Sequence, residues 1–170
     1  RESNYQASDL ERKAFFDLGE VMNPSGDRIM SISGGVATIN VDGVLTNSPD
    51  IFAMVFGNGN TLYSEIQGAI ASANSNSDVT NIEMKVNSPG GFASPQWVEA
   101  MKAVRDSPKP VKAIGDTLVA SAAYGLASQA DTIEATNDLS EFGSIGVVVD
   151  TFLWPEAVSI TSNNAPNKRP

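Results

Sequence analysis

A serine, Ser121, stands where an apolar run gives way to small residues that tolerate a helix. Residues 111–114 read as a strand, and Ala-Ala-Tyr-Gly-Leu-Ala follows the serine. A strand, a loop and a helix in this order put the hydroxyl at a helix N-terminus, where backbone N–H groups and the helix dipole stabilise developing negative charge. The segment therefore suits a nucleophile. The alternative is a serine that only caps the helix.

A second motif, Asn87-Ser88-Pro89-Gly90-Gly91, follows a segment in which Ile82, Met84 and Val86 alternate with polar residues. That alternation predicts a half-buried strand. The Pro-Gly-Gly sequence predicts a turn, because glycine adopts positive φ and lets another backbone come close. Since such a turn can point N–H groups at an anion, the two motifs together suggest the two halves of an oxyanion hole.

The chain has neither histidine nor cysteine, and this restricts the available chemistry. A serine nucleophile needs a proton acceptor, and histidine is the usual one. The remaining base that recurs with serine is a lysine whose pKa burial lowers from about 10.4 towards neutrality. The chain has six lysines. Without cysteine, disulfides and thiolate metal sites are excluded, and we expect no metal and no cofactor.

Composition bounds the kind of protein. A length of 170 residues with 41% hydrophobic residues predicts one folded domain, over 31–170, preceded by a helical arm over 1–30. A net charge of −9 argues against nucleic-acid binding through phosphate neutralisation. No apolar run approaches the roughly 20 residues of a membrane span, so we expect a soluble protein without membrane contact.

Near the N-terminus, Ser8-Asp9-Leu10-Glu11 has the form of a capping box, and the apolar spacing predicts an amphipathic helix over 8–22. This helix could pack on its own domain or on a neighbouring subunit. Residues 47–60 have a loop composition but are unusually apolar. They could pack into the core, or form a mobile flap or a subunit contact over a substrate groove.

From residue 36 onwards, strand and helix patterns alternate, which predicts an α/β fold with βαβ crossovers. Ser94-Pro95 has the form of a helix start, with a cap and a proline at the first helical position. We predict strands over 36–45, 81–86, 111–115, 132–135 and 145–149, and helices over 62–73 and 94–104.

Four ordered motifs resemble the signal peptide peptidase A family of serine peptidases. They are Asn87-Ser88-Pro89-Gly90-Gly91, Ala120-Ser121-Ala122-Ala123-Tyr124, Ala130-Asp131-Thr132-Ile133 and Gly143-Ser144-Ile145-Gly146-Val147. The resemblance runs from about Gly35 to the end, and the closing residues 160–170 are most similar to the bacteriophage capsid-assembly proteases. It implies the crotonase-like α/β fold that Clp proteases and enoyl-CoA hydratases share.

The resemblance assigns roles to five residues. It implies that Ser121 is the nucleophile, Lys168 the general base and Ser144 the hydroxyl that orients the lysine amine. The backbone N–H groups of Gly91 and Ala122 would form the oxyanion hole. The segment 150–160 is shorter than we expect between these motifs in the family.

Other residues near these motifs receive supporting or structural interpretations. Gly90, Phe92 and Ala93 would bind substrate, because the backbone beyond Gly91 can pair with an extended peptide as an added strand. Lys85 competes for the role of base, but strand alternation points it to solvent. We expect Asp131 to be structural.

The resemblance implies a Ser-Lys endopeptidase that cleaves scaffold or capsid protein through an acyl-enzyme during phage head assembly. It would act as a homo-oligomer, with a ring as one arrangement, in the host cytoplasm within the procapsid. Two alternatives stay open. One is a crotonase-type acyl-CoA enzyme, which needs a carboxylate near the thioester and a basic groove for the CoA phosphates. The other is a non-catalytic scaffold or assembly module that retains the fold.

Overall fold

The computed structural model describes residues 26, 28–49 and 60–146, along which strands and helices alternate as an α/β fold. The strands are β1 (Met30–Ser33), β2 (Val36–Thr46), β3 (Thr61–Leu62), β4 (Asn81–Gly91), β5 (Val111–Ala120), β6 (Thr132–Ala135) and β7 (Glu141–Gly143). The helices are α1 (Tyr63–Ser75), α2 (Pro95–Arg105) and α3 (Ala122–Ala127). The helix predicted over 8–22 and most of the loop 47–60 lie outside the described residues.

The strands form one sheet in the order β1-β2-β4-β5-β6, with β3 paired to β2 and β7 paired to β5. Only the β1–β2 pair is antiparallel among the pairs of the described residues. Parallel neighbours need a crossover connection, and α1 and α2 supply two of these. As a result, the carboxyl ends of β2, β4 and β5 meet at one edge of the sheet, where open α/β sheets usually place their sites.

The core lies between the helices and one face of the sheet. Ile39, Met84 and Ala113 are side by side in register on β2, β4 and β5, and all three are buried. The apolar stripe of α1 packs on the same face through Ile66 and Ile70. Burial of one such side chain contributes roughly 1.5–3 kcal/mol, so this cluster stabilises the sheet edge at which the site lies.

The sequence predicted that the Pro-Gly-Gly segment is a turn that ends the strand. This prediction was wrong, because β4 continues through the segment to Gly91. β4 has an irregular register against β5 between Val86 and Ser88, and it pairs with β2 as far as Leu45 opposite Gly91. This continuation requires glycine, because a Cβ on Gly91 would lie 1.9 Å from the carbonyl oxygen of Leu45. The strand therefore carries the second glycine up to the edge of the sheet.

Two further boundaries differ from the prediction. β5 continues five residues beyond the predicted end and leads directly into Ser121. The strand predicted over 145–149 is not present at Ile145 and Gly146, and its other residues lie outside the described ones. The strand that this part of the chain forms is β7, which pairs with the end of β5. No helix within the described ranges is long and apolar enough to cross a membrane.

Candidate active site

Ser121 occupies the sharp turn between β5 and α3 with φ 54° and ψ −123°. This positive φ is rare for any residue other than glycine and costs roughly 1–3 kcal/mol. Two hydrogen bonds hold the turn: the Ser121 N–H donates to the Gly143 carbonyl at 2.9 Å, and the Ser121 carbonyl accepts from the Gly125 N–H at 2.9 Å. The fold therefore maintains a strained backbone at this serine.

The Ser121 side chain makes no capping hydrogen bond to α3. The interpretation of this serine as a simple helix cap therefore does not fit the structure. Ser121 instead lines an open cleft of about 420 Å³.

Gly90 lies directly against this turn. Its φ is +106°, and a Cβ there would lie 2.6 Å from Ser121 Cβ and 3.0 Å from Ala122 N. Its N–H donates to the hydroxyl of buried Ser88 at 3.1 Å, so it is directed away from the cleft. Gly90 was expected to bind substrate, but it is buried and supports the turn rather than lining the cleft.

The next residue, Gly91, lines the cleft together with Ser121. The Phe92 N–H that follows it donates to the Leu45 carbonyl at 3.1 Å, towards β2. The Gly91 N–H is the oxyanion donor that the sequence predicts, and that role stays a prediction.

Phe92 is less available to a substrate than expected. Its N–H is bound by Leu45, and its carbonyl accepts from the buried Tyr63 hydroxyl at 2.8 Å. Burial raises the pKa of Tyr63 to about 12, so this phenol remains a donor at neutral pH. A peptide that adds as a strand would therefore pair from Ala93 onwards, whereas Phe92 contributes a side chain that is 67% exposed.

Ala122 begins α3, and the first N–H groups of a helix have no acceptor within it. Its N–H is therefore available for an oxyanion. The cleft brings together five of the residues predicted for the site, and it is largely apolar. The described lining residues are Val44, Gly91, Phe92, Ala93, Trp97, Ser121, Ala122 and Gly146. None of these carries an ionisable side chain.

Lys168, the predicted base, lies outside the described residues. The four lysines that the structure describes do not line the cleft. Lys85 is exposed, as strand alternation predicted, and Lys102 and Lys112 pair with carboxylates at 2.8 and 3.1 Å. The Nζ of Lys109 donates to two carbonyls near the end of α1, each at 2.6 Å.

Ser144 directly follows Gly143, the residue whose carbonyl accepts from the Ser121 N–H. It has a φ of 55° and is exposed. The pairing of β7 with β5 therefore brings the chain at Ser144 to the nucleophile turn. Its expected partner Lys168 is not among the described residues.

Asp131 is structural, as expected: its carboxylate accepts from the Val111 N–H at 2.7 Å. The sequence did not indicate the roles of Ser88, Tyr63 and Trp97. Their side chains make hydrogen bonds to the backbone of Gly90, Phe92 and Ala122, respectively. The bonds of Tyr63 and Trp97 span at least 25 positions, and the bond of Ser88 lies within a distorted strand. No local sequence pattern therefore indicates these three residues. The one available signal was Gly125, a glycine inside a short helix, which often marks a close contact.

The geometry can be compared with known proteins. No family model matches the chain, and no curated protein matches it. The fold is similar to an enoyl-CoA hydratase/isomerase family protein from Hyphomonas neptunium (21% identity, 68% of this chain, 48% of that chain, TM-score 0.53). It is also similar to an enoyl-CoA hydratase from Polaromonas sp. JS666 (17% identity, 65% of this chain, 48% of that chain, TM-score 0.51).

These likenesses show a crotonase-like α/β fold, which confirms the predicted fold class. At such identities they show the fold alone. The chain spans about half the length of each of these two structures.

Proposed function

We propose that the protein is a serine endopeptidase with a Ser-Lys dyad that cleaves extended protein segments through an acyl-enzyme. The observation that carries the proposal is the strained turn at Ser121, whose hydroxyl makes no capping bond and which lines a cleft together with Gly91 and Ala122. Strain of this kind persists where the surrounding structure enforces it, and it clusters at reactive sites.

In the proposed mechanism, the neutral amine of Lys168 takes the proton of Ser121 as the oxygen attacks the scissile carbonyl carbon. The Gly91 and Ala122 N–H groups stabilise the resulting oxyanion, each donor contributing roughly 2.7–4 kcal/mol. The lysine then protonates the leaving amine, and water attacks the ester to release the acyl group. Ser144 orients the amine, and no acid is needed because no imidazole must be steered.

The main competing function is acyl-CoA chemistry, since the similar structures are described as enoyl-CoA hydratases. Adding water to a double bond requires an acid and a base at the site. The described lining of the cleft carries no carboxylate, and a net charge of −9 does not favour binding of CoA phosphates. The net charge argues against acyl-CoA binding, whereas the described lining carries neither a carboxylate nor a lysine and so does not distinguish the two reactions.

The proposed biological context rests on the resemblance of the closing residues to phage capsid-assembly proteases. There the substrate is a scaffold or capsid protein, and the enzyme works as a homo-oligomer within the procapsid in the host cytoplasm. The described lining of the cleft is largely apolar and carries no basic side chain, which suits an extended polypeptide better than a nucleic acid.

Cleavage of an unfolded protein by wild-type, Ser121→Ala and Lys168→Arg proteins tests the proposal. Arginine keeps the positive charge but cannot act as a base, so both variants should lose at least about 10⁴-fold in rate. Lys85→Arg, on the exposed face of β4, should cleave at the wild-type rate. Full activity of Lys168→Arg would exclude the dyad, and an inactive wild type with a stable fold would favour the non-catalytic module.

A further inference from the structure

The indole of Trp97 on α2 reaches across to the turn that carries Ser121. Its Nε1–H donates to the carbonyl oxygen of Ala122 at 2.9 Å. The ring lies so close to α3 that a Cβ on Gly125 would be 2.5 Å from Trp97 Cζ2. Trp97 also lines the cleft. One side chain therefore contacts both the cleft and the helix start.

Ala122 is fixed by hydrogen bonds on both of its peptide groups. The peptide that carries its N–H also carries the Ser121 carbonyl, which accepts from the Gly125 N–H at 2.9 Å. The following peptide carries the Ala122 carbonyl, which accepts from Trp97. Because a helix of six residues is marginally stable on its own, these two bonds help to hold the Ala122 peptide groups in place.

Trp97 is itself held by the start of α2. Its backbone N–H donates to the Ser94 hydroxyl at 3.2 Å, and that hydroxyl donates to the side-chain oxygen of Asn47 at 2.8 Å. Trp97 is thus tied to the N-terminus of α2, which is bound in turn to the residue directly after β2. The indole therefore has a fixed position beside the turn that precedes α3.

We propose that Trp97 is a positioning residue that aims the Ala122 N–H at the substrate carbonyl and holds the Ser121 turn. This inference rests on the proposed function. Gly125 is needed for the same contact, because only a residue without a side chain leaves room for the indole to reach the Ala122 carbonyl. Trp97 acts through Ala122 and takes no part in proton transfer.

Two readouts test the role: the rate at which a fluorophosphonate modifies Ser121, and amide hydrogen exchange of the segment 121–125. Trp97→Phe keeps an aromatic ring and removes the N–H donor. We expect about fivefold slower modification and about fivefold faster exchange, the effect of one neutral hydrogen bond of about 1 kcal/mol. The pH dependence of modification should be unchanged, because the base is untouched.

Gly125→Ala provides an independent test of the same contact. Alanine is the better helix former, so without the indole this change should stabilise α3. With the indole present it should slow modification at least as much as Trp97→Phe. In a Trp97→Ala background it should cause no further loss, since the contact is already absent. Gln96→Ala, which alters the neighbouring residue of α2, is the control and should match the wild type.

The outcomes are distinguishable. Wild-type exchange rates in Trp97→Phe, or additive losses in the double variant, overturn the positioning role. Faster exchange with an unchanged modification rate also overturns it, because the turn would then not depend on this restraint. If Ser121 is not modified even in the wild type, the peptidase proposal fails, and the exchange data still decide whether Trp97 holds the turn.

Discussion

At the scale of single residues, the site depends on backbone conformations that sequence patterns do not encode. Ser121 and Ser144 both have positive φ, and Gly90 and Gly143 on neighbouring strands do so as well. The Ser121 conformation is maintained because Gly143 and Gly125 bind its N–H and carbonyl. The reactivity proposed for this serine is therefore a property of its neighbours as much as of its hydroxyl.

Gly90→Ala should damage the site more than the fold. Its Cβ would meet Ser121 Cβ and Ala122 N, so the turn must shift, and misplacement of a reacting group by about 1 Å costs on the order of 100-fold in rate. We expect that loss in fluorophosphonate modification of Ser121. Gly34→Ala is a matched control, because Gly34 also has positive φ but no atom of the described residues beyond its chain neighbours lies within 4 Å of its Cβ position. Equal effects of the two changes would contradict this account.

Asp42 should make stability depend on pH. Partial desolvation of its carboxyl, and second the negative charge of Asp116, raise the pKa of Asp42, although the residue as a whole is exposed. The native state then holds this proton to higher pH than the unfolded chain, so ionisation of Asp42 destabilises the fold as pH rises above about 3.9 through the native value. Asp42→Asn should increase the free energy of unfolding at pH 7 and not at pH 3.

Urea denaturation at both pH values measures the effect of Asp42→Asn. Asp138→Asn, on the exposed loop after β6, controls for the change in net charge. A gain from Asp42→Asn that is equal at pH 3 and pH 7 would rule out this explanation.

At the scale of elements, α1 is anchored by an ion pair that the sequence did not indicate. The Glu65 side chain is 2% exposed, accepts from Arg28 Nε at 2.6 Å and Nη2 at 2.7 Å, and also accepts from the Leu62 N–H at 3.0 Å. Glu65 therefore caps α1 and ties it to the segment before β1. Without Arg28, the buried carboxylate would keep only the Leu62 N–H and would lose its countercharge.

Glu65→Ala should cost about 2 kcal/mol of stability. This is less than the roughly 3–5 kcal/mol of a fully buried pair, because Arg28 is 36% exposed and can be solvated. Glu65→Gln keeps an acceptor for Leu62 and should cost less. Thermal or urea unfolding measures both. Glu99→Ala removes an exposed pair with Lys102 and should change stability by less than about 1 kcal/mol; an equal cost would refute the anchoring role.

Most elements could be predicted from the sequence, because their apolar residues follow the period of a strand or a helix. Ile82, Met84 and Val86 alternate and are buried on one face, and Ser94 caps α2 as its position before a proline suggested. β7 could not be predicted, since a three-residue strand ending in glycine has no period. Nor could the extension of β4, which follows from a close approach between two backbones.

The site was predicted in part for similar reasons. Gly91, Ala122 and Ser121 were identified because ordered motifs mark them, and the cleft brings them together. Trp97 lies in none of these motifs. Its hydrogen bond to Ala122 spans 25 positions and depends on how α2 packs beside α3, which only the tertiary structure defines.

At the scale of the whole molecule, the expected homo-oligomer remains a prediction. A net charge of −9 makes copies repel one another at low ionic strength, and salt screens this repulsion. Light scattering should give multiples of 17.9 kDa, with larger species favoured at higher salt. A mass of 17.9 kDa at every salt concentration, together with normal modification of Ser121, would show that the active form is a monomer.

The most direct test of the central claim is intact-mass spectrometry after treatment with a fluorophosphonate. We expect one adduct, mapped to Ser121 and absent from Ser121→Ala, whereas Ser128→Ala, at the exposed residue that directly follows α3, should react like the wild type. An adduct that persists in Ser121→Ala, or a folded wild-type protein that gains no mass, would contradict it.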